Sequence, residues 1–321
     1  MKINLPDEHC NFALIEPDAQ THELSDVDKE ILRDLFKVHG AVLLRGFPFS
    51  VEAFGDLASR HCSSFVNNES DGREQISEDG RIQTVNLGRH HFPLHPELAR
   101  VPWQPDIAWF GCGQPSRLGG DTAICDGIAA VEAFRPALRS HLQRNALKHT
   151  EPVTEEWCRQ FLHIDDVTPQ SLNENASGTG FQFRIVGGEI LRTYLRPMLH
   201  KPMFSESLAY GNFLVFARVG LRVRTFPTYA DGSEIPDNVV LEIATVTNDL
   251  AVPIRWQKGD VLMLDNTRFM HGRSPIGDPE ARRIYTQFGY ASFLPENHAF
   301  LTGQPWRQFA DTAHFFAPPQ G

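Results

Sequence analysis

Apolar side chains fall at helical spacing in 25-SDVDKEILRDLFKVHG-40, with Ile31, Leu32, Leu35 and Phe36 on one face. A serine opens the run, acidic residues fill its first turn and Gly40 closes it, so the pattern predicts a helix over 25–40. The residues that follow, 41-AVLLRGFP-48, are apolar and stop at Gly and Pro, which predicts a short strand. A second serine-led helical pattern occupies 50–62. Beyond it the rhythm changes. Short runs at 82–87, 106–112, 121–126, 147–150, 181–186, 219–226, 253–256, 260–265 and 282–293 read as strands separated by Gly, Pro, Asn and Asp. Helical patterns interrupt them at 128–143, 203–213 and 236–249. Many short strands behind a helical N-terminal layer predict a mainly β fold, a double-sheet sandwich or jelly-roll barrel with flanking helices on one face. No Gly-rich phosphate loop opens a helix after the first strand, which disfavours a doubly wound nucleotide fold.

Composition narrows the function classes. No linker, charge block or repeat divides the 321 residues, so a single domain over 1–321 is expected. A formal charge of −10 argues against a nucleic-acid partner, which needs clustered Lys and Arg to meet phosphates. The N-terminus lacks the apolar core of a signal peptide, and no uncharged apolar run is long enough to span a bilayer, so a soluble, cytoplasmic protein with no membrane partner is expected. Five widely spaced cysteines without a CxxC point to reduced thiols rather than a disulfide framework or zinc knuckle.

Three His-x-acid pairs, His95/Glu97, His149/Glu151 and His163/Asp165, are candidates for metal binding, because alternate residues on an extended strand face the same way. With 14 histidines and 40 acids in the chain, such pairs arise readily by chance, and the pattern alone does not choose among them. A redox-active iron centre needs two imidazoles and a carboxylate on one face, with open positions opposite. The most suitable distant imidazole is His271, delivered after the strand-like DVLMLD in 259-GDVLMLDNTRFMHGRSPI-276. Arg282 and Arg283 follow at the head of the alternating run RRIYTQFGY, where Arg283, Tyr285 and Gln287 would share a face and a guanidinium would reach a metal-bound carboxylate. Asp265 and Asn266 are expected to fix the turn before His271, and His90 and His91 to lie outside the ligand set. Pro93 and Pro96 predict that the first ligand segment ends a strand.

Taken in order, 95-HPE-97, 119-GGDTAICDG-127, 256-WQKGDVLMLDNTRFMHGR-273 and the arginine pair at 282–283 resemble the iron(II)/2-oxoglutarate dioxygenases of the taurine dioxygenase and clavaminate synthase type. The likeness runs through most of the chain, and only the first His-x-acid pair is followed by a GGDT turn. It implies a double-stranded β-helix core of jelly-roll, cupin-like form, with His95, Glu97 and His271 binding Fe(II). It also implies that Thr122 and Arg283, with Arg282 as the fallback, bind the remote carboxylate of the cosubstrate 2-oxoglutarate. O2 is the other cosubstrate, and succinate and CO2 are the coproducts. Relatives often carry a second arginine four residues beyond the cosubstrate arginine, where this chain has Gln287. A carboxylate at position 97 favours hydroxylation of an unactivated C–H bond over halogenation; desaturation, epoxidation and cyclisation are further outcomes of the same chemistry.

Candidate substrate residues are Asn86, Leu87, Arg222 and Gln287, with Arg218 and Arg224 near Arg222. The stretch 228-TYADGSEIPD-237 is similar to relatives that hydroxylate amino acids or carrier-tethered aminoacyl groups in natural-product biosynthesis, which implies a small-molecule substrate, free or held by a carrier protein. Residues 150–235 are expected to form the insertion and lid that set specificity. A cupin-like divalent-metal hydrolase or isomerase without 2-oxoglutarate is the reading from another class.

Overall fold

The structure, a computed structural model, describes residues 1–295 apart from 69, 71 and 87, together with 298 and 301, so Leu87 lies outside the described residues. Two facing sheets carry the core. The larger contains Lys2–Asn4, Ala13–Glu16, Ala41–Leu44, Val261–Asp265, Ile107–Gln114, Arg283–Ala291 and Cys62–Val66 in spatial order, with Gln83–Thr84 against Arg283–Ala291. The smaller orders Val252–Ile254, Thr122–Asp126, Phe269–Arg273 and Phe92–His95, all antiparallel. Between them lie Leu43, Phe110, Leu262, Leu264, Ile284 and Phe288 from the first sheet and Ile124, Phe269 and Ile254 from the second. This is the expected jelly-roll core, and it rests on strict alternation: Phe269 and His271 point between the sheets, and Met270 points to the outer side of the smaller one.

The outer face of the larger sheet is covered by α1 (Lys29–His39) and α2 (Val51–Ser59), which bury Leu32, Phe36, Phe54 and Leu57 against Ile107, Trp109 and Met263. Each such fully buried side chain contributes about 1.5–3 kcal/mol. α1 starts later than the serine suggests: Asp28 accepts from the backbone N–H groups of Glu30 and Ile31, while Ser25 sits in a short 3-10 turn. Gly40 ends the helix at φ +72, where a Cβ would lie 2.7 Å from the Phe269 ring. Ser50 caps α2 as expected.

Three local expectations are overturned. The helical pattern at 128–143 is two helices, α3 (Gly127–Ala133) and α4 (Pro136–Arg144), because Pro136 drives Arg135 out of helical geometry and opens a new helix itself. Residues 203–213 are not helical; within them Ala209–Tyr210 pairs with Leu199–His200. Residues 219–226 are not a strand: a π-helical turn spans Phe216–Gly220 and the chain then turns at Arg222, φ +58. Alternation alone does not make a strand, and these residues pair with no strand among the described residues.

A third sheet orders Gln182–Val186, Glu189–Pro197, Ala146–Val153 and Thr228–Tyr229, and its inner side packs with α5 (Glu155–Leu162) and α6 (Pro169–Asn175) around Phe181, Phe183 and Trp103. The helix expected at 236–249 is α7 (Asp237–Asp249), packed with α3 and α4 over the smaller sheet. No helix among the described residues is long and apolar enough to cross a membrane.

Candidate metal centre and cosubstrate cleft

His271 lies in the middle of the smaller sheet, paired with His95 on one side and Ile124 on the other. Gly272 lets the strands close: a Cβ there would meet the Phe92 carbonyl at 2.7 Å. The His95 and His271 rings are 4.8 Å apart, and Glu97 reaches them from the turn that follows Phe92–His95, a strand end as the two prolines suggested. One donor atom from each of His95, Glu97 and His271 lies within 4.8 Å of the other two. The remaining His-x-acid pairs behave differently. Glu151 is ion-paired to Arg100 at 2.7 Å and Arg192 at 3.3 Å, and His163 caps α5 in the left-handed region, φ 54.

The donor set fits a divalent transition metal. A carbonyl only accepts, so the 2.8 Å contact to Pro93 O puts the His95 proton on Nδ1 and leaves Nε2 with a free lone pair. His271 Nδ1 is buried without a hydrogen-bond partner, and Nε2 stands 3.6 Å from Glu97 Oε2, a gap of the size an ion between them would fill. Burial and the neighbouring His271 push His95 down to about 4, so it is neutral and ready to ligate at neutral pH. Burial works to raise the Glu97 carboxyl, but Arg73 and His271 outweigh it and hold the group well below the usual carboxylate range. Two imidazoles and one ionised carboxylate are the donors that suit iron(II).

Glu97 is held by more than its own segment. Asn266 grips its peptide from both sides, accepting from Glu97 N–H at 2.7 Å and donating to its carbonyl at 3.0 Å. Asp265 does fix the turn, accepting from Thr267 N–H at 2.8 Å, whereas Asn266 serves the opposite strand end rather than the turn before His271. Asn68 donates to the Glu97 carboxylate, and Arg73 Nη2 lies 3.3 Å from Oε2. Neither Asn68 nor Arg73 carries a signal in the sequence, because both come from an irregular stretch with no periodicity.

A cleft opens from the triad and is lined by Arg73, Asn86, Phe92, Phe110, Thr122 and Arg282, among others. Thr122 accepts from the Trp256 indole at 3.0 Å, which leaves its hydroxyl proton free to donate. Arg282 is buried at its side, gives one bond to the Gly120 carbonyl at 2.9 Å, and keeps a buried Nε with no partner. Gly120, at φ +77, makes room for that guanidinium: a Cβ would stand 3.1 Å from Arg282 Nε. Burial and then Arg273 lower Arg282 to about 10, still charged at neutral pH.

The facing of the last strand is the reverse of the expected one. Ile284, Thr286 and Phe288 pair with Cys112, Phe110 and Ala108 on the inter-sheet side, so Arg282 shares their face. Arg283 is exposed and donates to the Glu280 and Arg282 carbonyls, outside the cleft. Gln287 pairs with Trp109 on the helix-covered face and is buried away from the triad. Asn86 does line the cleft, with its Oδ1 accepting from Gly88 N–H. Arg222 is exposed on the turn after the π-helix, while Arg218 and Arg224 pair with Asp237. His90 and His91 are exposed. Arg273, flanking His271, lines the cleft too, but its Nη atoms donate to the carbonyls of Asn86, Gly88 and His90 and staple that segment down.

The family model described as taurine catabolism dioxygenase TauD, TfdA family matches residues 13–287. The chain belongs to this family. It is thus an iron(II)/2-oxoglutarate-dependent dioxygenase, with O2 as the second cosubstrate, rather than a cupin-like hydrolase or isomerase. A clavaminate synthase-like protein of Arabidopsis thaliana is 25% identical over 280 residues, 80% of this chain and 83% of the relative. Dapdiamide synthesis protein DdaC of Enterobacter agglomerans is 45% identical over a 58-residue stretch, 17% of each chain. A solved structure of PvcB, described as an Fe, alpha-ketoglutarate dependent oxygenase from an isonitrile synthetic pathway, shares the fold with a TM-score of 0.58 at 14% identity, covering 92% of this chain and 95% of the other.

Proposed function

We propose that His95, Glu97 and His271 bind the iron of this dioxygenase, that Thr122 and Arg282 hold the remote carboxylate of 2-oxoglutarate, and that the enzyme hydroxylates an unactivated C–H bond of a small molecule. An amino acid in a biosynthetic pathway, free or tethered to a carrier protein, is the substrate type favoured. The convergence of two imidazoles and a carboxylate beside a buried, half-satisfied guanidinium carries the reading. Arg282 is preferred to Arg283 because it alone of the pair lines the cleft. Bound iron supplies the oxidising chemistry. The chain's own residues do the positioning: Asn266 and Asn68 orient Glu97, the Pro93 carbonyl orients His95, and Phe92, Phe110 and Phe216 exclude water.

Residues 150–235 serve as the specificity-setting lid in this reading, since Phe216 on the π-helical turn stacks 4.3 Å from the His95 ring. A biosynthetic role draws support from the likeness to PvcB, an oxygenase from an isonitrile synthetic pathway, and to the dapdiamide synthesis protein DdaC. Five unpaired cysteines fit action in the reducing cytoplasm. The test is succinate formation from 2-oxoglutarate with iron(II) and a candidate substrate. His95→Ala and His271→Ala are expected to reduce it to background together with iron binding, and turnover intact in either variant sinks the assignment.

A further inference from the structure

We infer that Arg196, outside the cleft on the outer sheet, is a positioning residue for the metal carboxylate, acting on Glu97 through Gln104 and Asn266. The inference rests on the ligand assignment proposed above and deepens it. Arg196 stands on Glu189–Pro197 opposite Leu147, is 7% exposed, and pairs with no carboxylate among the described residues. The two histidines whose protonation its charge opposes, His149 and His200, are buried and neutral, so no titrating group beside it changes that balance. An interior cation without a counter-charge costs stability that an apolar side chain of similar length would not. What the guanidinium supplies instead is direction, because every oxygen it meets must turn a lone pair toward it.

Three oxygens receive the fork. The Gly211 carbonyl accepts from Nη2 at 2.8 Å and the Ala99 carbonyl from Nη1 at 3.4 Å, and these two bonds anchor the guanidinium. The third acceptor is Gln104 Oε1, which also takes a bond from Nη1. Because a guanidinium only donates, Gln104 must present its oxygen to Arg196 and its amide N–H to the other side, where Nε2 meets the Asn266 carbonyl at 2.7 Å. Asn266 then grips the Glu97 peptide through its own side chain, at 2.7 Å to N–H and 3.0 Å to the carbonyl. A second tie runs beside the first: His200 Nε2 donates to the Thr267 carbonyl at 2.7 Å, next to Asn266. Gly211 closes the arrangement, since a Cβ there would stand 3.6 Å from Pro96, between the two ligands of the first segment. The Glu97 carboxylate is therefore met by Asn68 and Arg73 from one direction, while its backbone is placed from the outer sheet.

The experiment compares wild type, Arg196→Met, Gln104→Met, Asn266→Ala and the doubles that join Asn266→Ala to each of the first two. Three quantities are read: iron(II) affinity by competition with a chelator, the metal-to-cosubstrate absorption band of the anaerobic protein loaded with iron(II) and 2-oxoglutarate, and the thermal midpoint of the metal-free protein. Arg196→Met and Gln104→Met are each expected to weaken iron binding about 10-fold, the scale on which partners behind a metal ligand act, and to shift the band. Since both work through Asn266, neither should weaken Asn266→Ala by more than about twofold further. If Arg196→Met does not fold, Gln104→Met and its double carry the same comparison, for Gln104 is only partly buried. Wild-type iron affinity in Gln104→Met, a lowered thermal midpoint with iron affinity and band unchanged, or full multiplication of the two losses in the doubles overturns the inference and leaves the ligand assignment standing. A wild type that binds no iron(II), or a His95→Ala variant that binds it as tightly as wild type, overturns both.

Discussion

The paired sheets and the rim of the outer sheet of 146–229 treat polar side chains in opposite ways. Between the paired sheets every candidate ligand is held by a ladder position or a buried hydrogen bond: His271 by pairing on both edges, His95 by the Pro93 carbonyl, Glu97 by Asn266. At that rim the strand Gln182–Val186 exposes all but Phe183, and on the neighbouring turn of 218–224 Arg218 and Arg224 pair with Asp237 while Arg222 faces solvent. The first arrangement preserves ångström-scale geometry for a metal. The second leaves a surface whose sequence is free to change with the substrate, touching the site chiefly through Phe216.

The largest effect separating the two regions is expected inside the paired sheets. Arg282→Ala should raise the KM for 2-oxoglutarate about 10- to 150-fold, the loss of a hydrogen bond to a charged group, whereas Arg283→Ala should change it less than twofold. Steady-state kinetics with both variants checks this, and the reverse order would return the cosubstrate role to Arg283. Next, Asn266→Ala frees both sides of the Glu97 peptide and should weaken iron affinity about 10- to 100-fold, measured by competition with a chelator.

Acid sensitivity is a more even test, because both regions contribute to it. Burial first, and nearby arginines second, push His61, His149 and His200 down to about 3, so they are neutral in the folded chain. Unfolding lets them take up protons near 6.5. Their contribution is therefore fully present above pH 6.5 and is lost as pH falls toward 3. Asp265, pushed up to about 6 by burial, acts the other way, costing stability as pH rises from about 4 to 6. Denaturation midpoints from pH 7 to 4 should fall, and His149→Phe should flatten the fall. The smallest effect is expected at the contact between regions: Phe216→Ala should alter the KM of the organic substrate a few-fold with iron affinity unchanged, and loss of iron would place Phe216 in the metal site's support rather than in the lid.

Much of this organisation was legible in the chain. The helices at 29–39 and 51–59 announce themselves through caps and periodicity, that at 237–249 through its apolar pattern alone, and the ordered motifs single out His95 over His149 and His163. The phase of the last strand was not legible. RRIYTQFGY lies in a sheet covered on both faces, by the second sheet on one side and by α1 and α2 on the other, so apolar residues occupy both phases and no polar face marks which arginine turns inward. Residues 219–226 failed for the opposite reason: their alternation is regular, but a strand needs ladder pairing, and among the described residues they pair with no strand.

The sequence alone determined the fold class and the family and put forward His95, Glu97 and His271 as candidate ligands, because these readings depend on local patterns and on the order of motifs along the chain. Only the tertiary structure decided which arginine faces the cleft, that Asn266 reaches back 169 positions to clamp Glu97, and that Arg73 and Asn68 stand beside it. Those contacts join segments distant in the chain, and a side chain's partner across such a distance is set by strand register and packing rather than by any spacing in the sequence.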